Sequence, residues 1–481
     1  MYVFLLVILY NKFIFFHMIN PASKPYLHPY IYIDSYRKRP FLLHPFTDKK
    51  IIFIKPFEKE ILLRANGQKT IKDLYSRIVL SVPKMKITDL VWFFTWMSEL
   101  NVVYFKQRKK KAVSKHWFAM RVWFHVTNQC NLRCKSCYVH KTPHRMALKT
   151  GYRALEDLFI SAKKNHYRAL NIRFNGGEPL LEIDNLIRFA NHCKKLQGLY
   201  TVKPLLAVIT NGVLLNENTA SRLQKAGIVV VVSLDGIKKQ NDQNRCFANG
   251  RGSFDYAVRA IKTAQKYNIF RCVSVTVTSK NVIHLPKFIS YLTVKGIPFF
   301  LNFYRTPIAG HDPLIPSNND LIRSLKKTYT FLKKHPSRLA MFSTTLDLVF
   351  SPCGVGYNQT VIDWTGEIKE CQMFSHIINR KSKEDVLSSI RKSSFTKRYH
   401  TLLAKTPCGS CKWKYICGSG CSVMHYAQLI KSKKLLPPSY CETYKTLIPL
   451  MIKTQVSHLE KNTVFGYKKS LIRAGYEDSY L

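Results

Sequence analysis

The stretch CNLRCKSC, Cys130 to Cys137, sets three thiols at the spacing C-x3-C-x2-C. Thiolates are soft ligands that select zinc or iron–sulfur clusters. One short loop with this spacing can put Cys130, Cys134 and Cys137 on three corners of a cubane cluster and leave one iron open. Zinc would need a fourth ligand, and His125, His140 or His144 could provide it. A second array follows: Cys353, Gly366 and Cys371, then Cys408, Cys411, Cys417 and Cys421 at C-x2-C-x5-C-x3-C, and finally Cys441. No cysteine precedes Cys130, and the clustering argues for metal rather than disulfides. Reduced thiols imply a cytoplasmic setting. Cys193, Cys246 and Cys272 fit neither array and read as buried small residues.

The elements around these cysteines have a regular order. Apolar strand-like runs (RVWFHVT, ALNIRFN, PLLAVIT, IVVVVSL, RCVSVTVT, PFFLNFY) alternate with amphipathic helical stretches such as GYRALEDLFISAKK and FDYAVRAIKTAQKY. Six β-then-α units call for a parallel sheet with right-handed crossovers, closed or partly closed into a barrel. Strands apolar throughout fit a sheet covered on both faces. A site in such a fold belongs where strands end and the next loops begin. The three-thiol loop lies at the end of the first strand. Asn175–Pro179 (NGGEP), Thr210–Gly212 (TNG) and Ser233–Gly236 (SLDG) end the next three, and Arg245 follows Ser233 by twelve residues.

Together these features resemble the radical S-adenosylmethionine (SAM) enzymes, whose signature is C-x3-C-x2-C. Most members have an aromatic before the last cysteine. Here Ser136 holds that place and Tyr138 follows, as in the peptide- and protein-modifying branch. The resemblance implies a 4Fe–4S cluster on Cys130, Cys134 and Cys137, with SAM chelated by the open iron. It implies cofactor contacts from Tyr138, Gly176, Gly177, Glu178, Pro179, Asn211, Ser233, Asp235 and Arg245, with Gly176–Pro179 near the methionine amino group and Ser233 and Arg245 near ribose and carboxylate. It assigns no catalytic side chain, because one-electron cleavage of SAM supplies the radical. The later array is similar to the SPASM extension, which implies one or two auxiliary 4Fe–4S clusters. Cys408, Cys411, Cys417 and Cys441 would hold one, and Cys353, Cys371 and Cys421 part of the other. A zinc ribbon is the rival reading. Relatives that mature sulfatases carry an Asp after the cysteine matching Cys371; here Gln372 stands there, which argues against formylglycine formation.

Residues from about Tyr30 to Phe105 read as strands, three helices and a final strand, a winged-helix-like unit. It is similar to the PqqD-like domain that pairs a leader peptide onto a sheet edge. The expected layout is a short apolar leader or over-called start at 1–27, this unit at 28–110, the barrel at 116–318, the SPASM region at 340–446 and a tail at 447–481. The chain has 481 residues and a formal charge of +48, from 76 Lys and Arg against 28 Asp and Glu. That charge keeps open an RNA-modifying enzyme or a zinc-stabilised DNA-binding protein. The array favours a radical SAM maturase that forms a thioether or carbon–carbon cross-link in a short ribosomally made precursor peptide. Modification of another protein or of RNA is the alternative. An electron donor such as flavodoxin or ferredoxin is the further partner implied, and nucleic acid and membrane are disfavoured.

Overall fold

The computed structural model describes residues 19–44, 51–105, 119–306, 312–335, 354–373, 378, 384–417, 420–432 and 440–464. The apolar start at 1–18, the basic run at 106–115 and Cys353 lie outside them. The chain divides into two units, Met1–Lys115 and His116–Leu481.

In the first unit, β1 (Tyr26–Leu27) pairs with β5 (Val103–Tyr104), and β2 (Tyr32–Tyr36), β3 (Arg39–Leu43) and β4 (Ile51–Phe53) form an antiparallel sheet. Between β4 and β5 come α1 (Pro56–Arg64), α2 (Ile71–Ile78) and α3 (Ile87–Glu99). The α2 start is fixed by reciprocal capping: Asp73 N–H donates to Thr70 Oγ1 at 3.1 Å and Thr70 N–H to Asp73 Oδ2 at 2.8 Å. The helices bury Ile61, Leu62, Leu74, Phe94 and Met97 in one core.

The second unit alternates strand and helix: β6 (Ala119–Thr127), α4 (Leu148–Lys164), β7 (Ala169–Gly176), α5 (Ile183–Tyr200), β8 (Lys203–Thr210), α6 (Glu217–Ala226), β9 (Ile228–Ser233), α7 (Lys238–Asn244), α8 (Phe254–Lys266), β10 (Phe270–Val277), α9 (Leu285–Val294), β11 (Phe299–Phe303) and α10 (Asn318–Lys334). The six strands are parallel and lie in the order β11-β10-β9-β8-β7-β6, an open (β/α)6 arrangement of the partial-barrel kind. Two further strands extend it past β6. β12 (Gln359–Ile362) runs parallel to β6, and β13 (Ile368–Lys369) antiparallel to β12. The rest is helical: α11 (Val386–Lys392), α12 (Ser394–Lys405), α13 (Lys414–Cys417), α14 (Ser422–Ser432) and α15 (Cys441–Val464). The segment read as a tail thus continues as α15, which packs on α10 and buries Leu447, Ile448, Met451 and Ile452. Among the described residues no helix is long and apolar enough to cross a membrane.

One expectation needs correction. β9 is apolar up to Ser233 at its end, but β6 and β7 alternate. Phe174 meets Phe124 and Phe189, with ring centroids 5.9 and 6.5 Å away, so the even-numbered residues of both strands face the helices. Arg121, Trp123, His125, Asn171, Arg173 and Asn175 therefore point to the concave side, which is polar over these two strands.

Candidate active site

Two strand ends and the segment after β9 hold the thiol loop, the first and last through its backbone. At the β7 end, Gly177 N–H donates to Thr127 O at 2.6 Å and Glu178 N–H to Gln129 O at 2.7 Å. The glycines are needed there: a Cβ on Gly177 would lie 1.9 Å from Gln129 O, and Gly176 has φ +148° with Thr127 O 2.2 Å from its would-be Cβ. At the β8 end, Asn211 Nδ2 donates to Asn131 Oδ1 at 2.7 Å and lies 3.9 Å from Cys130 Sγ. From the segment after β9, Arg133 N–H reaches Cys246 O at 2.7 Å, Lys135 N–H reaches Asn244 O at 2.9 Å, and Ser136 N–H reaches Asn244 Oδ1 at 3.1 Å.

Burial within this frame favours the neutral form of Cys130 and Cys134. Burial pushes Cys134 up to about 11 against the pull of the Arg245 cation, and burial raises Cys130 as well. The three lie close enough for Cys137 to act electrostatically on both. Lys141 Nζ donates to Cys137 Sγ at 2.7 Å. Among the described residues no three His, Cys, Asp or Glu side chains already converge as a metal group, so ligation would close the loop's side chains and release protons. His144 stacks on Trp364 at 4.5 Å, and His125 is half-buried, which lowers its pKa.

Glu178 is 1% exposed. Its carboxylate accepts from Thr210 Oγ1 at 2.7 Å, Leu180 N–H at 3.0 Å and Asn211 N–H at 2.8 Å. Burial outweighs these donors and pushes its pKa up to about 7 from 4.5. A raised folded-state pKa means the folded chain holds the proton more tightly than the unfolded one. Stability from this group is full below pH 4.5 and is lost as pH rises towards 7, by about 3 kcal/mol. Urea denaturation of metal-free wild type and Glu178→Gln across that window should show this difference in slope; parallel profiles would refute it. Pro179 follows in a short 3-10 turn capped by the Glu178 side chain.

The strongest polar knot lies after β9. Asp235 is 1% exposed. Its carboxylate accepts from Arg245 Nε at 2.7 Å and Nη2 at 3.2 Å, Asn244 Nδ2 at 2.6 Å and Thr276 N–H at 2.7 Å. Burial by itself would lower the Arg245 pKa, but the Asp235 charge overrides it and raises it. Arg245 therefore already has a carboxylate within the chain. Among the described residues Nη1 stays uncommitted, and that nitrogen could meet a second carboxylate. The Ser233 hydroxyl, at the β9 tip, has no partner among the described residues.

Tyr138 links the loop to the later cysteines. Tyr138 is 43% exposed overall; desolvation of its hydroxyl, followed by the nearby Cys137 and Cys371, raises its pKa, and Asn175 and Arg305 oppose them. Arg305, just past β11, also acts on Tyr440 and Tyr444. Gly366 has φ +88° in the β12–β13 turn, where its N–H donates to Asp363 O at 2.9 Å. Cys371 and Cys421 pack with Cys408 against Phe395, Tyr399 and Leu403. Cys441 lies within electrostatic range of Cys411, and Cys417 ends α13. Cys193 and Cys272 are buried, whereas Cys246 is partly exposed beside the thiol loop. Sequence reasoning missed Asn244, Thr276 and Arg305. Only Asn244 had a signal, its place directly before Arg245.

Residues 124–282 match the model of the Radical SAM superfamily, and the chain is an enzyme with a radical SAM domain. It is related to maturases. The cysteine-type anaerobic sulfatase-maturating enzyme of Clostridium perfringens is 25% identical over 66% of this chain and 92% of its own. The subtilosin biosynthesis protein AlbA of Bacillus subtilis is 21% identical over 66% and 70%. The fold is similar to that of Streptococcus suis SuiB bound to its precursor peptide SuiA, with TM-score 0.52 at 16% identity, over 87% of this chain and 100% of that one.

Proposed function

We propose that this chain is a radical SAM peptide maturase that forms a thioether or carbon–carbon cross-link. The observation that carries this is the convergence of the β7 end, the β8 end and the segment after β9 on one three-thiol loop. The residues fit the cofactors. Cys130, Cys134 and Cys137 would hold a 4Fe–4S cluster with one iron open, and Gly176–Pro179, Asn211, Ser233, Asp235, Arg245 and Tyr138 would surround SAM. The unpartnered Ser233 hydroxyl and the buried, unpartnered Asn175 Oδ1 suit a polar ligand. Together the bound cluster and SAM supply a hydrogen-abstracting 5′-deoxyadenosyl radical. Asp235 holds Arg245 in place, and the two glycines let the backbone approach the ligand.

Cys353, Cys371, Cys408, Cys411, Cys417, Cys421 and Cys441 would hold one or two auxiliary clusters. The unit at 28–110 would bind the leader of a ribosomally made peptide, as the AlbA and SuiB likenesses suggest. The working compartment is the reducing cytoplasm, with a flavodoxin or ferredoxin as electron source. Gln372 supports cross-linking over formylglycine formation. The test is co-expression of this chain with each short reading frame beside its gene, followed by mass spectrometry. One peptide should lose two hydrogen atoms per cross-link. Unchanged masses throughout, or a serine or cysteine converted to formylglycine, would overturn the reading.

A further inference from the structure

β7 turns Asn171, Arg173 and Asn175 to the concave side, and Arg173 reaches furthest. Its charge acts on Cys272 of β10, although β8 and β9 separate β10 from β7. The side chain therefore reaches into the hollow of the sheet. Its guanidinium lies 5.3 Å over the Trp123 ring. Among the described residues it has neither an acidic partner nor a hydrogen bond. The charged side chain that acts on it is another cation: Arg121, which pairs with Asn171 in the register of β6 and β7. Burial, reinforced by Arg121, lowers the Arg173 pKa to about 10. Asn171 is fully buried, yet both of its amide atoms lack partners.

Buried amides such as Asn171 are rarely left unsatisfied, and a partly buried cation beside a second cation, with no counter-charge among the described residues, is costly. The arrangement makes sense if something else brings the anion. Lying over Trp123, the guanidinium keeps its planar fork of N–H donors, which no group among the described residues takes up, for a carboxylate. Arg173 lies two residues, roughly 7 Å, below Asn175 and the strand end. That separates it from the cofactor contacts at the rim. We infer that Arg173, with Asn171 beside it, is a subsite within the barrel that binds the carboxylate of a substrate peptide's Asp or Glu side chain. The identity of the bearer rests on the peptide-maturase reading; the anion site itself rests on the geometry.

The test uses the full-length, anaerobically reconstituted chain and two capped pentapeptides, Ac-Ala-Ala-Glu-Ala-Ala-NH2 and its glutamine counterpart, with binding read by calorimetry. Wild type should prefer the glutamate peptide by about tenfold or more, the worth of one charge-assisted contact. Arg173→Gln should abolish the preference, and Arg173→Lys should keep part of it. The variant also controls for the chain's overall positive charge, which it barely changes. Equal binding of the two peptides by wild type, binding of neither, or a preference that survives in Arg173→Gln would overturn the inference. A wild-type chain that prefers the glutamate peptide but releases no 5′-deoxyadenosine would support the anion site and overturn the proposed function.

Discussion

Replacing Cys130, Cys134 and Cys137 together by alanine should remove ~4 irons per chain and bring 5′-deoxyadenosine release to background. Their side-chain contacts are few, chiefly Lys141 Nζ to Cys137 Sγ at 2.7 Å and Leu132 N–H to Cys130 Sγ at 3.4 Å. The loop's anchors are backbone donors and acceptors at Arg133, Lys135 and Ser136 and at Thr127 and Gln129, none of them a cysteine side chain. The variant should therefore stay folded, with unchanged circular dichroism. Any iron held by the later cysteines should remain, because that array lies on other elements. Iron and sulfide analysis beside a product assay checks both parts. An unchanged iron content would show that this loop is not a cluster site.

Asp235→Ala should be the most damaging single substitution for stability, costing about 3–5 kcal/mol. The carboxylate is the shared acceptor for Arg245, Asn244 and Thr276. Removing it leaves the Arg245 side chain, 14% exposed, without its counter-charge. It also releases Asn244, whose side chain and carbonyl fix Ser136 and Lys135 in the thiol loop. Loss of stability should thus come with weaker SAM binding, by calorimetry. A control is the exposed pair Lys266–Glu217, with side chains 62% and 63% exposed. Glu217→Ala should leave the denaturation midpoint unchanged, since such pairs contribute little. Equal effects at Asp235 and Glu217 would refute the account of the knot.

The site was readable in the sequence where chemistry and local spacing coincide. Three thiols in one loop, paired glycines at a strand end and Ser233 with Arg245 are short-range signals, and six strand-like runs with helices between them suggested the sheet. What escaped was non-local. β12 has only four residues and finds its partner, β6, far earlier in the chain; no periodicity shows such a pairing. Asp235 looked like a cofactor contact, yet its carboxylate is filled by protein donors. ALNIRFN looked apolar, because Leu170, Ile172 and Phe174 dominate a residue count. The alternation shows only when register assigns faces, and then Asn171, Arg173 and Asn175 stand together. Arg305 follows no motif and gains meaning only through tyrosines more than a hundred residues away.

The central claim is that radical chemistry here takes hydrogen from a peptide. Its most direct test is a single incubation of the reconstituted chain with SAM, reductant and the cognate precursor peptide deuterated at all carbon positions. The 5′-deoxyadenosine formed should carry deuterium, read by mass spectrometry. Product without deuterium, or no product from a chain with its full iron content, would contradict the claim.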